Sequence, residues 1–162
     1  MKTKLTKDIE RKLYYATHAD ERGTYGCYEV CVGNGCGQEF IDFATMDSKE
    51  IFRCYEIKAS TSDFYSKSRK TFIGNFNYFV MPYKVYEDLL KDDRSAGKQH
   101  IRFYLNNGIG ILVYNKDTDS IKCIKKAKRK EISMADKALL MHSMIRSMSR
   151  YAKSVLHSLF EC

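Results

Sequence analysis

Three extended runs in quick succession constrain this chain more than any other feature. Residues 25–33 alternate in the manner of a strand and stop at the cluster Gly33-Asn-Gly-Cys-Gly, which marks a hairpin turn. A second strand is predicted near 38–45, from Gln38 through Phe40, Ile41, Asp42 and Phe43. Met46-Asp-Ser-Lys is polar turn material, and Ile51 to Lys58 is the third strand. A chain that begins this way must build a sheet and find helices to cover it.

The remaining segments supply those helices. Residues 4–18 read as a helix, with Thr6 as its cap, Asp8 and Glu10 in the first turns, and Ile9, Leu13 and Ala16 on one face. A short polar helix is predicted over 62–71, and a central strand over Phe76–Met81. Pro82 stands between that strand and a helix over 83–91, a favoured place for proline. A charged loop covers 92–100, a strand runs from Gly108 to Tyr114, and residues 120–125 pair with it as a hairpin. A long helix capped by Ser133 fills 133–159, with an apolar stripe from Met141 through Met144, Ile145, Met148, Ala152, Val155 and Leu156 to Leu159. This order predicts an α/β fold, a mixed central sheet flanked by helices with a long C-terminal helix. The length of 162 residues predicts one domain, with a core over about 5–115 and a basic hairpin and helix over 116–162.

Composition narrows the function classes. Hydrophobic residues make up 44% and aromatics 13%, enough for a core and too rich for a disordered basic tail. No run of ~18 apolar residues spans a membrane, and the N-terminal basic residues precede no apolar stretch of a secretory signal. A cytoplasmic setting with reduced thiols is therefore expected. The cysteines Cys27, Cys31, Cys36 and Cys54 lack the paired knuckles of a strong zinc signature; buried thiols and a metal cluster both stay open, with thiols the default. His18, His100, His142 and His157 have no ligand spacing.

The chemistry-bearing segment is Arg53-Cys-Tyr-Glu-Ile-Lys-Ala-Ser, preceded by Phe40-Ile-Asp-Phe. Alternate residues of a strand share a face, so Glu56 and Lys58 point the same way. If the second and third strands pair, Asp42 approaches Glu56, and two carboxylates so placed repel unless a cation lies between them. Such oxygen donors suit Mg²⁺ or Mn²⁺. A solvated ion pair for Glu56 with Lys58, and a strand-edge carboxylate for Asp42, are the structural alternatives. Glu29, expected on one face with Cys27 and Cys31, is another candidate carboxylate. Asp63 and Ser60 suit helix capping, and Ser60 also suits phosphate contact.

An Asp followed by Glu-x-Lys on successive strands after a helix resembles the PD-(D/E)xK nuclease superfamily, with its restriction-endonuclease-like fold. Glu56-Ile-Lys-Ala-Ser-Thr-Ser-Asp-Phe64 resembles the Glu-x-Lys-x-Ser-x-x-Asp-Phe stretch of its MmcB-like branch of DNA-repair nucleases. Phe76-Asn-Tyr-Phe-Val-Met-Pro and Gly108-Ile-Gly-Ile-Leu-Val are similar to that branch's following strands, so the likeness covers roughly residues 5–115. The resemblance implies Asp42 and Glu56 as metal ligands with the Ile57 carbonyl, Lys58 as catalytic lysine, and Glu10 as the first-helix glutamate. The superfamily's proline is absent; Ile41 precedes Asp42.

The net charge of +8 is concentrated. Residues 122–130 include Lys125, Lys126, Lys128, Arg129 and Lys130; Lys67, Arg69 and Lys70 follow the Glu-x-Lys segment; Arg146, Arg150 and Lys153 recur on the last helix. These clusters suit DNA-backbone contact around the site, or else a solvated basic face. The expectation is a metal-dependent nuclease acting on DNA, with a non-catalytic nucleic-acid-binding module of the same fold as the alternative. A lone domain of this size predicts structure-selective action, a homodimer or a partner protein.

Overall fold

The computed structural model describes residues 2–17, 22–33, 39–66, 70–92 and 100–160. Its elements in chain order are α1 (Lys4–Thr17), β1 (Thr24–Val32), β2 (Glu39–Asp47), β3 (Phe52–Ile57), α2 (Thr61–Phe64), β4 (Phe76–Pro82), α3 (Tyr83–Lys91), α4 (Ile101–Asn106), β5 (Gly110–Asn115), β6 (Ser120–Lys125) and α5 (Met134–Phe160). The six strands form one sheet in sequential order. β1/β2, β2/β3 and β5/β6 are antiparallel, while β3/β4 and β4/β5 are parallel. The mixed sheet, its flanking helices and the long C-terminal helix agree with the expected α/β class.

Alternation along β3 divides the molecule. Phe52 and Cys54 point to one face and join Ile41, Ala44, Leu140 and Met144 under α5. Tyr55 and Ile57 point to the other and join Ile9 and Leu13 of α1, Phe43, Val80 and Tyr114. Glu56 lies on the α5 face, in register with Phe79. Phe79 belongs to a second cluster on that face, where Phe64, Leu89, Ile101 and Tyr104 of α2–α4 cover β4 and β5. Both parallel connections thus carry helices, the usual companions of parallel pairing.

Several expectations are corrected. The hydroxyl of Thr3, not Thr6, caps α1 by accepting from the Thr6 N–H at 3.2 Å. Helix α4 lies in a stretch to which the sequence assigns no element, and α2 covers Thr61–Phe64, which overlaps the expected 62–71 only over 62–64. The strand face expected to hold Cys27, Glu29 and Cys31 together is broken. Glu29 has φ 50°, the β1/β2 ladder skips the pair Glu29/Asp42, and the core-facing residues change from Cys27 to Val30 and Val32. Finally, only the first half of the α5 stripe is covered. Leu140 and Met144 are buried, but Ile145, Val155, Leu156 and Leu159 are exposed.

Candidate active site

The site forms where β3 ends. Glu56 is 2% exposed and Lys58, one residue past the strand, 4% exposed. The Lys58 ammonium lies 3.6 Å from Glu56 Oε2, and its backbone N–H donates to the Val80 carbonyl at 2.9 Å, which continues the β3/β4 ladder. The other Glu56 oxygen accepts from the buried Thr71 N–H at 3.3 Å, and the Thr71 hydroxyl donates to Glu39 Oε2 at 3.3 Å. The pair is therefore not a solvated surface contact.

Asp42 joins it from β2. Its Oδ2 accepts from the Ile57 N–H at 2.7 Å, the amide next to Glu56. The skipped pair with Glu29 marks the place where β2 leaves regular pairing and turns this carboxylate toward β3. Burial first, and the Asp42 charge second, push the Glu56 carboxyl above the ordinary range; Lys58 and the Thr71 N–H pull the other way. Burial likewise raises Asp42, against the Ile57 N–H and Lys58. Two acids whose ionisation is opposed in this way, one of them 3.6 Å from a buried amine, mark a candidate functional site.

The following residues hold this arrangement. Ser60 caps α2: its hydroxyl accepts from the Asp63 N–H at 3.1 Å, while Asp63 Oδ2 accepts from the Ala59 N–H at 3.0 Å. This reciprocal pair fixes the chain just after Lys58. Ser60 is thus engaged as a cap, and Asp63 adds negative charge that acts on Asp42. Lys70, next to Thr71, is half-buried, with its ammonium 5.4 Å from the Phe64 ring centroid. Burial first, and Lys58 second, lower its pKa.

Glu10 is held differently. The Lys2 ammonium pairs with Glu10 at 2.5 Å and with Glu29 at 2.8 Å, and the Lys2 charge also acts on Asp42. Glu10 therefore meets the site through Lys2, a residue that sequence reasoning passed over. Thr71 and Glu39 were missed too, because a backbone donor and an acid at a strand start carry no motif.

The basic segment 125–130 requires a correction of place. The Lys128 N–H donates to the Gly108 carbonyl at 2.8 Å and the Lys130 N–H to the Asn75 carbonyl at 2.9 Å. Asn75 in turn accepts from the Phe52 N–H at 2.9 Å. These anchors lie where β3, β4 and β5 begin, whereas the site lies where β3 ends, about 17 Å along the strand at ~3.3 Å per residue. Lys125 Nζ donates to the Leu105 carbonyl, Lys130 Nζ to the Phe72 carbonyl, and Arg129 pairs with Glu131. Lys126, Lys128 and Arg129 are exposed at that far edge; Lys130 alone reaches back, to the residue after Thr71. Lys67 and Arg69 lie outside the described residues.

Cys27 and Cys54 are buried in the α5 core and Cys31 is half-buried; Cys36 lies outside the described residues. Burial pushes the Cys54 thiol up to about 12. Among the described residues, no group of three or more His, Cys, Asp or Glu side chains is spaced to hold a metal ion, and no helix is long and apolar enough to cross a membrane. The donor set at the site is two carboxylates, with the Ile57 backbone beside them. Magnesium is commonly held by one or two carboxylates together with waters and substrate phosphates, so these residues fit it.

No family model matches the chain, and no curated protein matches it. A solved structure of a protein of unknown function from Silicibacter pomeroyi is similar, with a TM-score of 0.65 at 13% sequence identity. The similarity covers 96% of this chain and 93% of that one, so it extends over the whole architecture, α5 included. At that identity it concerns the fold alone.

Proposed function

We propose that this chain is a metal-dependent nuclease of the PD-(D/E)xK type that hydrolyses DNA phosphodiester bonds. The observation that carries the reading is the buried Glu56–Lys58 pair at 3.6 Å with Asp42 tied to the adjoining amide. Burying this pair costs several kcal/mol of desolvation per ion, which the Lys58–Glu56 attraction and the Thr71 N–H must offset, and its place beside a second acid at a strand end supports a functional rather than a stabilising role.

Asp42 and Glu56 are the residues that would hold Mg²⁺ or Mn²⁺, and when bound the ion supplies Lewis-acid stabilisation of phosphate charge and a water of lowered pKa. Lys58 places a compact positive charge beside Glu56, where it orients an attacking water or a phosphate oxygen. Lys70 adds a second cation at the same edge for the DNA backbone. Asp63 and Ser60 hold the Lys58–Ala59 backbone in place. Glu10 remains a candidate further ligand once Lys2 is displaced. The free core thiols Cys27 and Cys54 support a reducing, cytoplasmic setting.

The test is incubation of the purified chain with supercoiled, linear and single-stranded DNA in Mg²⁺ or Mn²⁺, beside Lys58→Ala and Glu56→Gln. Metal-dependent cleavage that both substitutions abolish is expected. Cleavage that survives them points to another site, and no cleavage of any substrate removes the nuclease reading.

A further inference from the structure

Glu56 is 2% exposed, Lys58 4% and Thr71 3%. The reacting groups therefore lie below the surface at the end of β3, against the segment that carries Lys70 and Thr71. A closed duplex is stiff, with a persistence length of about 50 nm, and it meets such a recess only at its rim. A single strand has free torsions and can be drawn in.

Two rings stand at the same end of the sheet. Phe40 lies on β2, two residues before Asp42, and is 43% exposed. Tyr83 is the first residue of α3, directly after β4, and is 49% exposed. Register puts both near Lys58. β2 runs antiparallel to β3 with Phe43 opposite Tyr55, so Phe40 lies beyond Glu56 in the direction of Lys58. Ile57 is in register with Val80 on parallel β4, so Tyr83 lies just past the same end. The two rings thus leave the strands on either side of β3, about 10 Å apart across the sheet at ~4.8 Å per strand. By contrast, exposed Tyr15 packs on Tyr14 at 5.3 Å, and exposed Phe103 on Tyr104 at 5.5 Å. Neither Phe40 nor Tyr83 has a ring partner among the described residues.

We propose that the cut strand enters this site unpaired, with the bases on either side of the cut stacked on Phe40 and Tyr83. A base offers its ring face only when it is out of the helical stack, so exposed rings beside a phosphodiester site find partners in a single strand and not in a closed duplex. Exposed Lys84, next to Tyr83, and half-buried Lys70 supply charge for the adjoining phosphates, and rings interleaved with cations are the usual make-up of a single-strand groove. Every base has a ring face, so the selection is for strand state and not for sequence. A duplex must open before it reaches Glu56 and Lys58, and is held less tightly for that reason. The position of the cut is taken from the nuclease reading; the stacking is a binding property and is tested without cleavage.

The test is fluorescence anisotropy of the full chain in EDTA, with one short sequence offered as single strand, as closed duplex and as duplex with a central unpaired bubble. Single strand and bubble should bind at least about tenfold more tightly than the closed duplex, which pays for opening. Phe40→Ala and Tyr83→Ala should each weaken single-strand binding about 5- to 100-fold, the scale of one lost base stack, and leave the closed duplex unchanged. Phe40→Tyr and Tyr83→Phe should keep the affinity, and Phe103→Ala, on α4, should alter neither form. All three side chains are exposed, so thermal unfolding of every variant should match the unsubstituted chain. Equal affinity for single strand and closed duplex overturns the inference. So do alanine variants at 40 and 83 that bind the single strand undiminished, or an equal loss from Phe103→Ala. A ring-dependent preference for the single strand in a chain that cuts no DNA with Mg²⁺ or Mn²⁺ upholds the stacking and removes the nuclease reading alone.

Discussion

The Ile57 backbone N–H donates to Asp42 Oδ2 at 2.7 Å, so the carboxylate of β2 is held one residue along from Glu56 on β3. The contact serves two ends at once. It closes the β2/β3 seam past its last regular pair, Phe43 with Tyr55, and it keeps a second negative charge beside a buried acid. Asp42→Asn keeps an oxygen that can accept from Ile57 while removing the charge. The Glu56 pKa should fall toward the ordinary range, because the Asp42 charge is one cause of its elevation. Carbon-detected NMR titration of the Glu56 carboxyl measures this directly. Cleavage should fall about 100-fold or more, the scale on which single electrostatic groups act in a transition state.

Glu56 also makes stability depend on pH. Its folded pKa is raised above the unfolded one, so the folded state holds the proton more tightly. Between the ordinary glutamate value of about 4.3 and the raised folded value, the unfolded chain binds fewer protons. Stability then falls as pH rises, by up to about 1.4 kcal/mol per pH unit for one proton. Asp42, raised in the same direction, adds to the trend. Urea unfolding across that pH range should show the decline in the unsubstituted chain and a flatter profile in Glu56→Gln. Equal slopes would mean that Glu56 is not held protonated by its surroundings.

The sequence made part of this site readable. Period-two alternation placed Glu56 and Lys58 together, and the order of segments set Asp42 on the neighbouring strand. What it could not carry were contacts made by groups without a signature. Thr71 binds Glu56 through a backbone N–H, which any residue but proline possesses. Lys2 reaches Glu10 and Glu29 from a terminus that looked only basic. Helix α4 was missed because it is six residues long and starts at His100, whose Nδ1 accepts from the Arg102 N–H in place of a usual cap residue. The left-handed turn at Glu29 changed the strand face without a glycine to announce it. Charge density likewise has no address in sequence, so the cluster 125–130 looked like part of the site until the fold put its backbone at the far edge of the sheet.

That placement separates two groups of lysines. Lys70→Ala should weaken DNA binding and reduce the steepness of its salt dependence by about one phosphate contact, since Lys70 stands beside Thr71 and Lys58. Lys126→Ala with Arg129→Ala should leave cleavage of a short duplex centred on the site nearly unchanged. Binding isotherms at several salt concentrations, with duplexes of two lengths, check both outcomes. A larger loss from the far-edge pair on the short duplex would place the DNA path across the beginning of the parallel strands instead.

Gly110 lets that far edge pack closely. A Cβ built there would lie 2.4 Å from the Tyr78 ring and 2.6 Å from the Ala127 backbone nitrogen. The first neighbour is a ring stacked on Tyr55 at 5.6 Å between centroids, and the second belongs to the segment whose Lys128 N–H is bonded to Gly108. Neither can retreat freely: the ring is held by its stack, and the backbone by hydrogen bonds on both sides of Ala127. Gly110→Ala should therefore cost about 1–3 kcal/mol, the range for overpacking a filled interior, read as a lower urea midpoint at constant slope. Hydrogen exchange should locate the loss, with the Lys128 and Lys130 amides opening first because they fasten the segment that the new methyl pushes outward. The Ile57 amide, at the opposite end of β3, should keep its protection, so the variant would lose stability at one sheet edge while the Asp42–Ile57 contact stays in place at the other.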